Sequence, residues 1–357
     1  MRVFRLVTAV RAGVLLLGLA LCLPAPVSAQ KSSGSSTPSK SVQAKKPAYS
    51  AASSRARKAR LARARAAARA REQARLRQLR ALQEAMTPRY KTDASGSLVP
   101  DVRAAAAIIF DPETGQVLWE ENGSDKRSIA SITKVMTAVV FLEDSPDLSR
   151  EVTIERGDVY AASTTYLRRN ERVTLDNVLH LTLIASDNAA ARALARLSHG
   201  GTAAFIERMN EKALELGLES TTFADPSGLN PNNVSSAYDL SRLITYAAHD
   251  QRIAAVMQKS QHAVRTSRRT ITINNTNHLV RGSDANTMEV MGGKTGFISK
   301  AGYCLATLLR LPQTDHQVAV VVLGASSNNG RFWETRHLFN WLSDKAADLF
   351  GKDQEKD

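Results

Sequence analysis

The chain has 357 residues, a formal net charge of +14 and two cysteines. Only Cys304 lies beyond the first 29 residues, which excludes a fold built on internal disulfides, and we expect this thiol to be buried. The charge does not indicate a basic nucleic-acid-binding domain: residues 1–99 hold 20 Lys and Arg against three acids, whereas the remainder holds 28 against 31.

The first 29 residues have the pattern of a secretory signal peptide. Arg2, Arg5 and Arg11 precede an uncharged run at 12–23, and the small residues Val27-Ser28-Ala29 end the segment. The run is shorter than the ~20 residues of a membrane span, so we expect cleavage after Ala29 and no transmembrane helix. The predicted location is the periplasm, where the protein could associate peripherally with wall or membrane.

Residues 30–95 are predicted to form a basic arm. Its first part, 30–54, is rich in Ser, Lys and Ala with two prolines, a composition that favours a flexible linker. Between Arg55 and Arg80 there are 11 basic residues and one acid, and the intervening alanines favour a helix that the like charges oppose. We predict a largely disordered or partly helical arm that is solvated or binds an anionic wall or lipid surface.

Residues 96–350 have the pattern of a folded domain, and 351–357 form a polar tail. Residues 104–110 and 116–120 predict two strands of a hairpin, because turn-forming residues separate two apolar runs. Further strands are predicted at 270–273, 302–309 and 318–323, with Lys294-Thr295-Gly296 just before a strand and an amphipathic helix at 331–349. Strands at both ends with helices between them indicate an antiparallel sheet beside an all-helical region.

Two helical patterns lie in the middle of the domain. Apolar residues recur at helical spacing from 132 to 142, so a helix should begin close to Ser131. Residues 175–217 are rich in Leu and Ala at helical spacing. Ser186-Asp187-Asn188 should therefore lie between helices or at a helix end.

Three short polar strings carry the predicted chemistry. They are Ser131-Ile132-Thr133-Lys134, Ser186-Asp187-Asn188 and Lys294-Thr295-Gly296. Each alone is typical of helix caps and turns. Their joint occurrence in this order is the signature of serine penicillin-binding proteins and class A β-lactamases.

An alcohol is a weak nucleophile at neutral pH and needs a base. Ser131 and Lys134 are three residues apart on one predicted helix face, so the Lys134 amine could accept the Ser131 proton. This hypothesis requires the pKa of Lys134 to fall through burial and a second cation, for which Lys294 is the candidate. The backbone NH groups of Ser131 and Phe297 are predicted oxyanion donors, each typically worth ~10²- to 10³-fold in rate, and Gly296 should let a substrate strand approach.

Other catalytic systems leave no trace in the sequence. There is no G-x-S-x-G elbow, the seven histidines show no metal-ligand spacing such as H-E-x-x-H, and no phosphate-binding glycine loop occurs. We therefore expect neither a metal nor a cofactor.

Over about residues 100–345 the sequence resembles the low-molecular-mass penicillin-binding proteins of the D-alanyl-D-alanine peptidase family. Besides the three strings, Thr222–Leu229 and Ser235–Leu240 are similar to stretches typical of that family. The resemblance implies an α/β (α+β) fold of the β-lactamase/transpeptidase type. In that fold an antiparallel sheet flanked by helices lies beside an all-helical region, with the active site in the cleft between them.

The resemblance also implies roles for the residues of the first two strings. Ser131 would be the acylated nucleophile, Lys134 its base and Ser186 a proton relay. Asn188 would contact both the substrate and Lys134, whereas Asp187 would support its loop.

The third string is implied to bind the substrate along the edge of the sheet. Lys294 and Thr295 would hold the substrate carboxylate, with Gly296 beside them. The implied substrates are D-Ala-containing peptidoglycan peptides, and β-lactam antibiotics would be trapped as mimics.

The choice between related activities depends on few residues. Asn275–Val280 resembles the endopeptidase branch, and 351–357 are too polar for the C-terminal anchor common among carboxypeptidases. We expect an endopeptidase that cuts D-alanyl crosslinks, with a carboxypeptidase as the alternative. A β-lactamase is disfavoured because Glu211–Glu215, the nearest match to its Glu-x-x-Leu-Asn string, lacks the Asn. The intact Ser131, Lys134 and Lys294 disfavour a non-catalytic wall-binding protein.

Overall fold

The computed structural model describes residues 51–281, 288–312 and 316–350. The predicted signal peptide, most of the predicted linker and the polar tail lie outside the described residues. The chain divides into two units, residues 1–68 and 69–357. Residues 51–68 of the first unit are helical, and residues 54–68 are exposed.

The described residues form helices along most of the chain. These are α1 (Ala51–Met86), α2 (Lys134–Glu143), α3 (Arg156–Val159), α4 (Leu175–Leu183), α5 (Asn188–Leu197), α6 (Gly201–Glu215), α7 (Ala237–His249), α8 (Gln251–Met257) and α9 (Asn328–Phe350). Short 3-10 turns occur at Ala130–Thr133 and His278–Val280.

Strands alternate with these helices. They are β1 (Tyr90–Thr92), β2 (Leu98–Pro100), β3 (Ala106–Phe110), β4 (Val117–Glu121), β5 (Arg127–Ser128), β6 (Glu151–Thr153), β7 (Arg172–Thr174), β8 (Val234–Ser235), β9 (Gln261–Arg265), β10 (Thr270–Asn274), β11 (Glu289–Ile298), β12 (Gly302–Arg310) and β13 (Gln317–Ala325).

The main sheet is antiparallel and five-stranded, in the order β11-β12-β13-β3-β4. The β3–β4 hairpin is paired as predicted, with Ile109 opposite Trp119. Helix α7 and helix α9 both pack against the sheet. The fold class predicted from the sequence is confirmed. Strand β11 lies at an edge of the sheet.

The sheet is buried on both faces. Along β3, Ile108 and Phe110 belong to the core shared with the helical region, whereas Ala107 and Ile109 belong to the core shared with α9. This explains why β3 reads as a continuous apolar run and not as an alternating one. Cys304 on β12 is fully buried, as expected, and burial raises the pKa of its thiol to about 11.

The helical region places the second string at a helix junction. Helices α2, α4, α5 and α6 form one packed group. Helix α2 is buried on nearly all sides, and its side chains are accordingly mostly apolar. Helix α4 ends at Leu183 and α5 begins at Asn188, so Ser186 lies in the short link between them. This is the position the sequence predicted.

Two features near the N-terminus differ from the sequence prediction. Helix α1 begins at Ala51, so the last residues assigned to the flexible linker are helical. The β1–β2 hairpin, paired from Tyr90 to Pro100, was not predicted. Its strands have three residues each, too short for a periodic signal, and its turn depends on Asp93, whose Oδ1 accepts from the Ser95 and Ser97 amides. Among the described residues, no helix is long and apolar enough to cross a membrane.

Candidate active site

The three polar strings meet at one cavity of about 420 Å³. Ser131 lies in the 3-10 turn before α2, the second string lies between α4 and α5, and the third lies in β11. The cavity is lined by Ser131, Ser163, Thr164, Ala185, Ser186, Asn188, Leu229, Thr276, Thr295, Gly296, Phe297, Ile298, Ser299 and Arg331. Lys134 and Lys294 lie behind this surface and are fully buried.

Ser131 and Lys134 are in direct contact. Lys134 Nζ lies 2.9 Å from Ser131 Oγ, 2.7 Å from Asn188 Oδ1 and 2.5 Å from the Ser227 carbonyl oxygen. The 3-10 turn that leads into α2 places the two side chains on the same side. The nitrogen therefore has three fixed oxygen neighbours, and one of them is the hydroxyl it would deprotonate.

Burial lowers the pKa of Lys134 to about 7, because desolvation disfavours the ammonium form. The carboxylates of Asp225 and Asp187 raise this pKa, and the guanidinium of Arg192 lowers it. The required lowering is therefore present, but its main cause is burial. Arg192 is a contributing cation that the sequence did not indicate, and the like charges of Lys134 and Lys294, the predicted pair, lower the pKa of Lys294.

The link between α4 and α5 is held by Asp187 and Asn188. Asp187 caps α5 by accepting from the Ala190 amide, and its other oxygen accepts from the Tyr166 amide at 2.6 Å. Asn188 Nδ2 donates to the Ala162 carbonyl at 2.7 Å, which aims its Oδ1 at Lys134. Asp187 thus supports the loop, and burial raises its pKa.

Ser186 faces a second lysine. Its backbone has a φ of +57°, a conformation that non-glycine residues seldom adopt and that is often found at functional sites. Lys294 Nζ donates to Ser186 Oγ and to the Thr295 carbonyl, both at 2.8 Å. Burial lowers the pKa of Lys294 well below its ordinary value, and the charges of Lys134 and Arg331 lower it further.

The third string lies within β11, a strand that the sequence did not predict, and it precedes β12, which lies where the sequence predicted a strand. Lys294, Thr295 and Gly296 pair with β12 in the middle of β11. Glycines at 292, 293 and 296 interrupt the apolar pattern by which a strand is recognised in the sequence. A Cβ at Gly296 would lie 2.6 Å from the Ile129 carbonyl oxygen and 3.2 Å from the Ser131 nitrogen. The absence of a side chain at Gly296 therefore lets the turn that carries Ser131 pack closely against β11.

The predicted oxyanion donors border the same cavity. Backbone NH groups in the first turn of a helix have no acceptor within the helix, and Ser131 has such a position. Phe297 follows the third string on β11 and is 48% exposed. Their donor roles stay predictions.

A loop that the sequence did not assign to the site completes it. The Ser227 carbonyl is an acceptor for Lys134, and Gly228, with φ +81°, lies against the nucleophile turn. A Cβ at Gly228 would lie 2.0 Å from the Ala130 carbonyl oxygen. The stretch was noted as family-like, but contacts made by a backbone carbonyl and an absent side chain leave no chemical signature in the sequence.

Arg331 is a second functional candidate that the sequence reasoning missed. It lies on α9, is only 6% exposed, and lines the cavity. Its Nη1 donates to the carbonyls of Gly296 at 2.9 Å and Cys304 at 3.2 Å, and burial lowers its pKa to about 10. It remains a cation at neutral pH and gives the β11 side of the cavity a positive charge.

A histidine cluster lies outside the cavity lining. Asp176, His180 and His262 bring potential metal-ligand atoms within 4.8 Å of one another. The sequence gave no such signal, because His262 is distant in the chain. Lys259 Nζ lies 2.8 Å from His180 Nε2 and already places a cation there. We assign no metal to this cluster.

The site has the parts of a serine acyl-transfer enzyme of the penicillin-binding class. A serine contacts a buried lysine of lowered pKa, a second serine–lysine pair faces it, and the cavity opens along a strand edge. The chain belongs to the D-alanyl-D-alanine carboxypeptidase family, Peptidase_S11, whose profile matches residues 92–327. It is a serine-type D-Ala-D-Ala peptidase.

Relatives with both activities of this family are similar in sequence. The D-alanyl-D-alanine endopeptidases of Escherichia coli and Pseudomonas aeruginosa are 33% and 32% identical to this chain. The matches cover 68% and 69% of this chain and 78% and 79% of those proteins. The D-alanyl-D-alanine carboxypeptidase DacF of Bacillus subtilis is 30% identical over 64% of this chain and 59% of that protein.

Solved structures support the same assignment. The Streptomyces K15 DD-transpeptidase is 27% identical, with a TM-score of 0.62 over 68% of this chain and 97% of that one. Penicillin-binding protein D2 of Listeria monocytogenes, solved in a cefotaxime-bound form, is 26% identical, with a TM-score of 0.59 over 67% of this chain and 97% of that one.

Proposed function

We propose that this chain is a periplasmic D-alanyl-D-alanine endopeptidase that hydrolyses D-alanyl crosslinks in peptidoglycan through an acyl-enzyme. The observation that carries the acyl-enzyme is the 2.9 Å contact between Ser131 Oγ and the buried Lys134 Nζ. The endopeptidase preference is supported by the names of the Escherichia coli and Pseudomonas aeruginosa relatives. The periplasmic location rests on the signal-peptide pattern at residues 1–29.

Acylation begins with the Ser131 hydroxyl. Lys134 in its neutral form takes the Ser131 proton as the oxygen attacks the D-Ala carbonyl carbon, and a pKa of about 7 leaves much of the amine neutral at neutral pH. The carbonyl oxygen becomes an oxyanion, which the NH groups of Ser131 and Phe297 would bind. Collapse breaks the peptide bond and leaves the acyl group on Ser131.

The leaving amine needs a proton and the acyl-enzyme needs water. Ser186 lies between the cavity and Lys294, so its hydroxyl can pass a proton to the departing amine and regain one from Lys294. Lys134 must first lose the proton that it took from Ser131, and Lys294 must regain the proton that it supplied to the amine. Water then attacks the ester carbonyl with neutral Lys134 as base, and Lys134 returns that proton to the Ser131 oxygen as the ester bond breaks. A β-lactam would acylate Ser131 in the same way.

The β11 side of the cavity suits an anionic D-amino acid residue. Arg331 and the edge residues Thr295 and Phe297 line it. Thr295 Oγ1 donates to Thr276 Oγ1 at 2.7 Å, and Thr276 belongs to the stretch that resembles the endopeptidase branch. A carboxylate on the leaving side would bind between Thr295 and Arg331, with Lys294 behind them.

Purified muropeptides distinguish the two peptidase activities. Incubation of the enzyme with crosslinked dimers and with pentapeptide monomers, followed by chromatography, should show dimers converted to monomers several times faster than terminal D-Ala is released. Ser131→Ala serves as the control, because any activity that remains with this variant comes from a contaminating enzyme. Release of D-Ala with intact dimers would contradict the endopeptidase and indicate a carboxypeptidase.

We further propose that the basic arm binds an anionic wall or lipid surface. None of its eleven basic side chains between Arg55 and Arg80 forms an ion pair with another described residue. At about 100° of helical rotation per residue these side chains occur on every side of α1. Because cations occur on every side of the helix, we expect the binding to be electrostatic and sensitive to salt.

Co-sedimentation tests the arm directly. The enzyme should sediment with purified peptidoglycan or with anionic vesicles at about 20 mM salt and be released at about 0.5 M, where the Debye length is only a few ångströms. A variant lacking residues 30–80 should stay in the supernatant at both concentrations, while neutral vesicles report nonspecific binding. Equal sedimentation of the truncated and full chains would contradict the proposal.

A further inference from the structure

A polar loop at 224–233 packs against the turn that carries the nucleophile Ser131. Gly228 touches the Ala130 carbonyl, and Thr137 Oγ1 of α2 donates to the Pro226 carbonyl at 2.6 Å. The Ser227 carbonyl between these contacts accepts from Lys134 Nζ. The loop thus supplies one of the three oxygen neighbours of the catalytic amine through its backbone alone.

One carboxylate organises this loop. Asp225 Oδ1 accepts from the Gly228 amide at 2.9 Å and the Asn230 amide at 3.3 Å. Its Oδ2 accepts from Ser227 Oγ at 2.5 Å. These hydrogen bonds all go to an ionised acceptor, which makes them stronger than bonds between neutral groups.

Asn233 holds the Asp225 carboxylate and the neighbouring backbone by hydrogen bonds. Asn233 Nδ2 donates to Asp225 Oδ1, and Asn233 Oδ1 accepts from the Ala224 amide at 2.6 Å and the Asp225 amide at 3.1 Å. Asn233 is fully buried. The loop is therefore built around the Asp225–Asn233 pair.

We propose that Asp225 is a positioning residue, which holds the loop so that the Ser227 carbonyl fixes the Lys134 amine against Ser131. Asp225 does not line the cavity, so we assign it no contact with the substrate. The proposal rests on the proposed function in one respect, namely that Lys134 is the base.

Asp225 also acts on Lys134 through its charge. The charged groups that face Lys134 are Asp225 in the loop, Asp187 and Arg192 around the start of α5, and Lys294 on β11. Asp225 is the largest of the influences that raise the pKa of Lys134, against the lowering by burial. Removing its charge should therefore lower the Lys134 pKa further.

The sign of the pH effect follows from the role of the base. Acylation requires neutral Lys134, so its rate should rise with pH through a midpoint near 7 in the wild type. In Asp225→Asn the midpoint should move to lower pH, because the amine loses its proton more readily. At pH 8, where the amine is mostly neutral in both proteins, any loss of rate reports misplacement.

The experiment measures the second-order rate of acylation by a fluorescent penicillin from pH 5 to 9 on the purified full chain. Asp225→Asn should lower the rate at pH 8 by roughly 10- to 100-fold, the usual effect of losing hydrogen bonds to a charged group. Its pH midpoint should lie below that of the wild type. An unlabelled wild type would refute the proposed function, whereas a labelled wild type with an identical variant would refute only the role of Asp225.

Two further variants separate positioning from folding. Asp111→Asn alters a buried carboxylate that accepts from Thr114 Oγ1 in the β3–β4 turn, so it should keep both rate and midpoint. Asn233→Ala removes the side-chain hydrogen bonds that hold Asp225 but keeps the Asp225 charge. It should therefore lower the acylation rate and leave its pH midpoint unchanged. If Asp225→Asn does not fold, an unchanged rate in Asn233→Ala overturns the proposal. So does an unchanged rate at pH 8 in a folded Asp225→Asn.

Discussion

Ser131→Ala is expected to abolish acylation while leaving the fold intact. The hydroxyl is the only group in the contact with Lys134 that can become the acyl carrier, so penicillin labelling and crosslink cleavage should both fall below detection. The fold should tolerate the change because Lys134 Nζ keeps Asn188 Oδ1 and the Ser227 carbonyl as acceptors. We expect the free energy of unfolding to change by about 1 kcal/mol or less.

Two measurements check this expectation together. Gel fluorescence after incubation with a labelled penicillin reports the acyl-enzyme, and thermal unfolding reports the fold. Ser299→Ala is the matched control, because Ser299 lines the same cavity but belongs to none of the three strings. Stable labelling of a folded Ser131→Ala protein would mean that another residue is the nucleophile.

The sequence predicted those parts of the site that depend on side-chain chemistry. Ser131 and Lys134 are close in the chain, so helical spacing alone predicts their contact. The sequence placed Ser186 and Lys294, 108 residues apart, in one site only through the family-like order of the strings, and it did not predict their contact, since no local pattern encodes a distance across the fold. The structure supplies that distance and shows which atoms are in contact.

The parts that the sequence did not predict are made by backbone groups and by burial. The carbonyl of Ser227 would be present whatever residue stood there, so its bond to Lys134 has no signature of its own. The sequence predicted that burial and a second cation would lower the Lys134 pKa, but it could not predict that burial is the larger cause, because burial depends on packing that only the complete fold defines.

Arg331 did carry a signal that could have been used. With Thr335, Leu338 and Leu342 it forms a stripe of buried residues at spacings of four, three and four along α9. A charged residue on the buried face of an amphipathic helix is costly unless it is partnered, and so it marks a special environment. Reading the helix face by face would have placed Arg331 under the sheet edge.

Gly228→Ala should be the most damaging substitution of a residue that takes no part in the chemistry. Its backbone has φ +81°, which costs an alanine about 1–2 kcal/mol. The added Cβ would also lie 2.0 Å from the Ala130 carbonyl oxygen and 2.8 Å from the Ser131 nitrogen, both backbone atoms that cannot rotate away. The loop or the nucleophile turn must shift, and we expect a loss of acylation rate of at least ~100-fold, as for other displacements of about 1 Å.

Gly115→Ala separates the two causes. Gly115 has a similar φ of +75°, but a Cβ there meets no atom within 4 Å. It should therefore show the conformational cost alone, about 1–2 kcal/mol in chemical denaturation, with a normal acylation rate. Gly228→Ala should lose more stability than this control and most of its activity. Equal stability and activity in the two variants would mean that the loop yields freely, and that its contact with the nucleophile turn does not hold Ser131 in place.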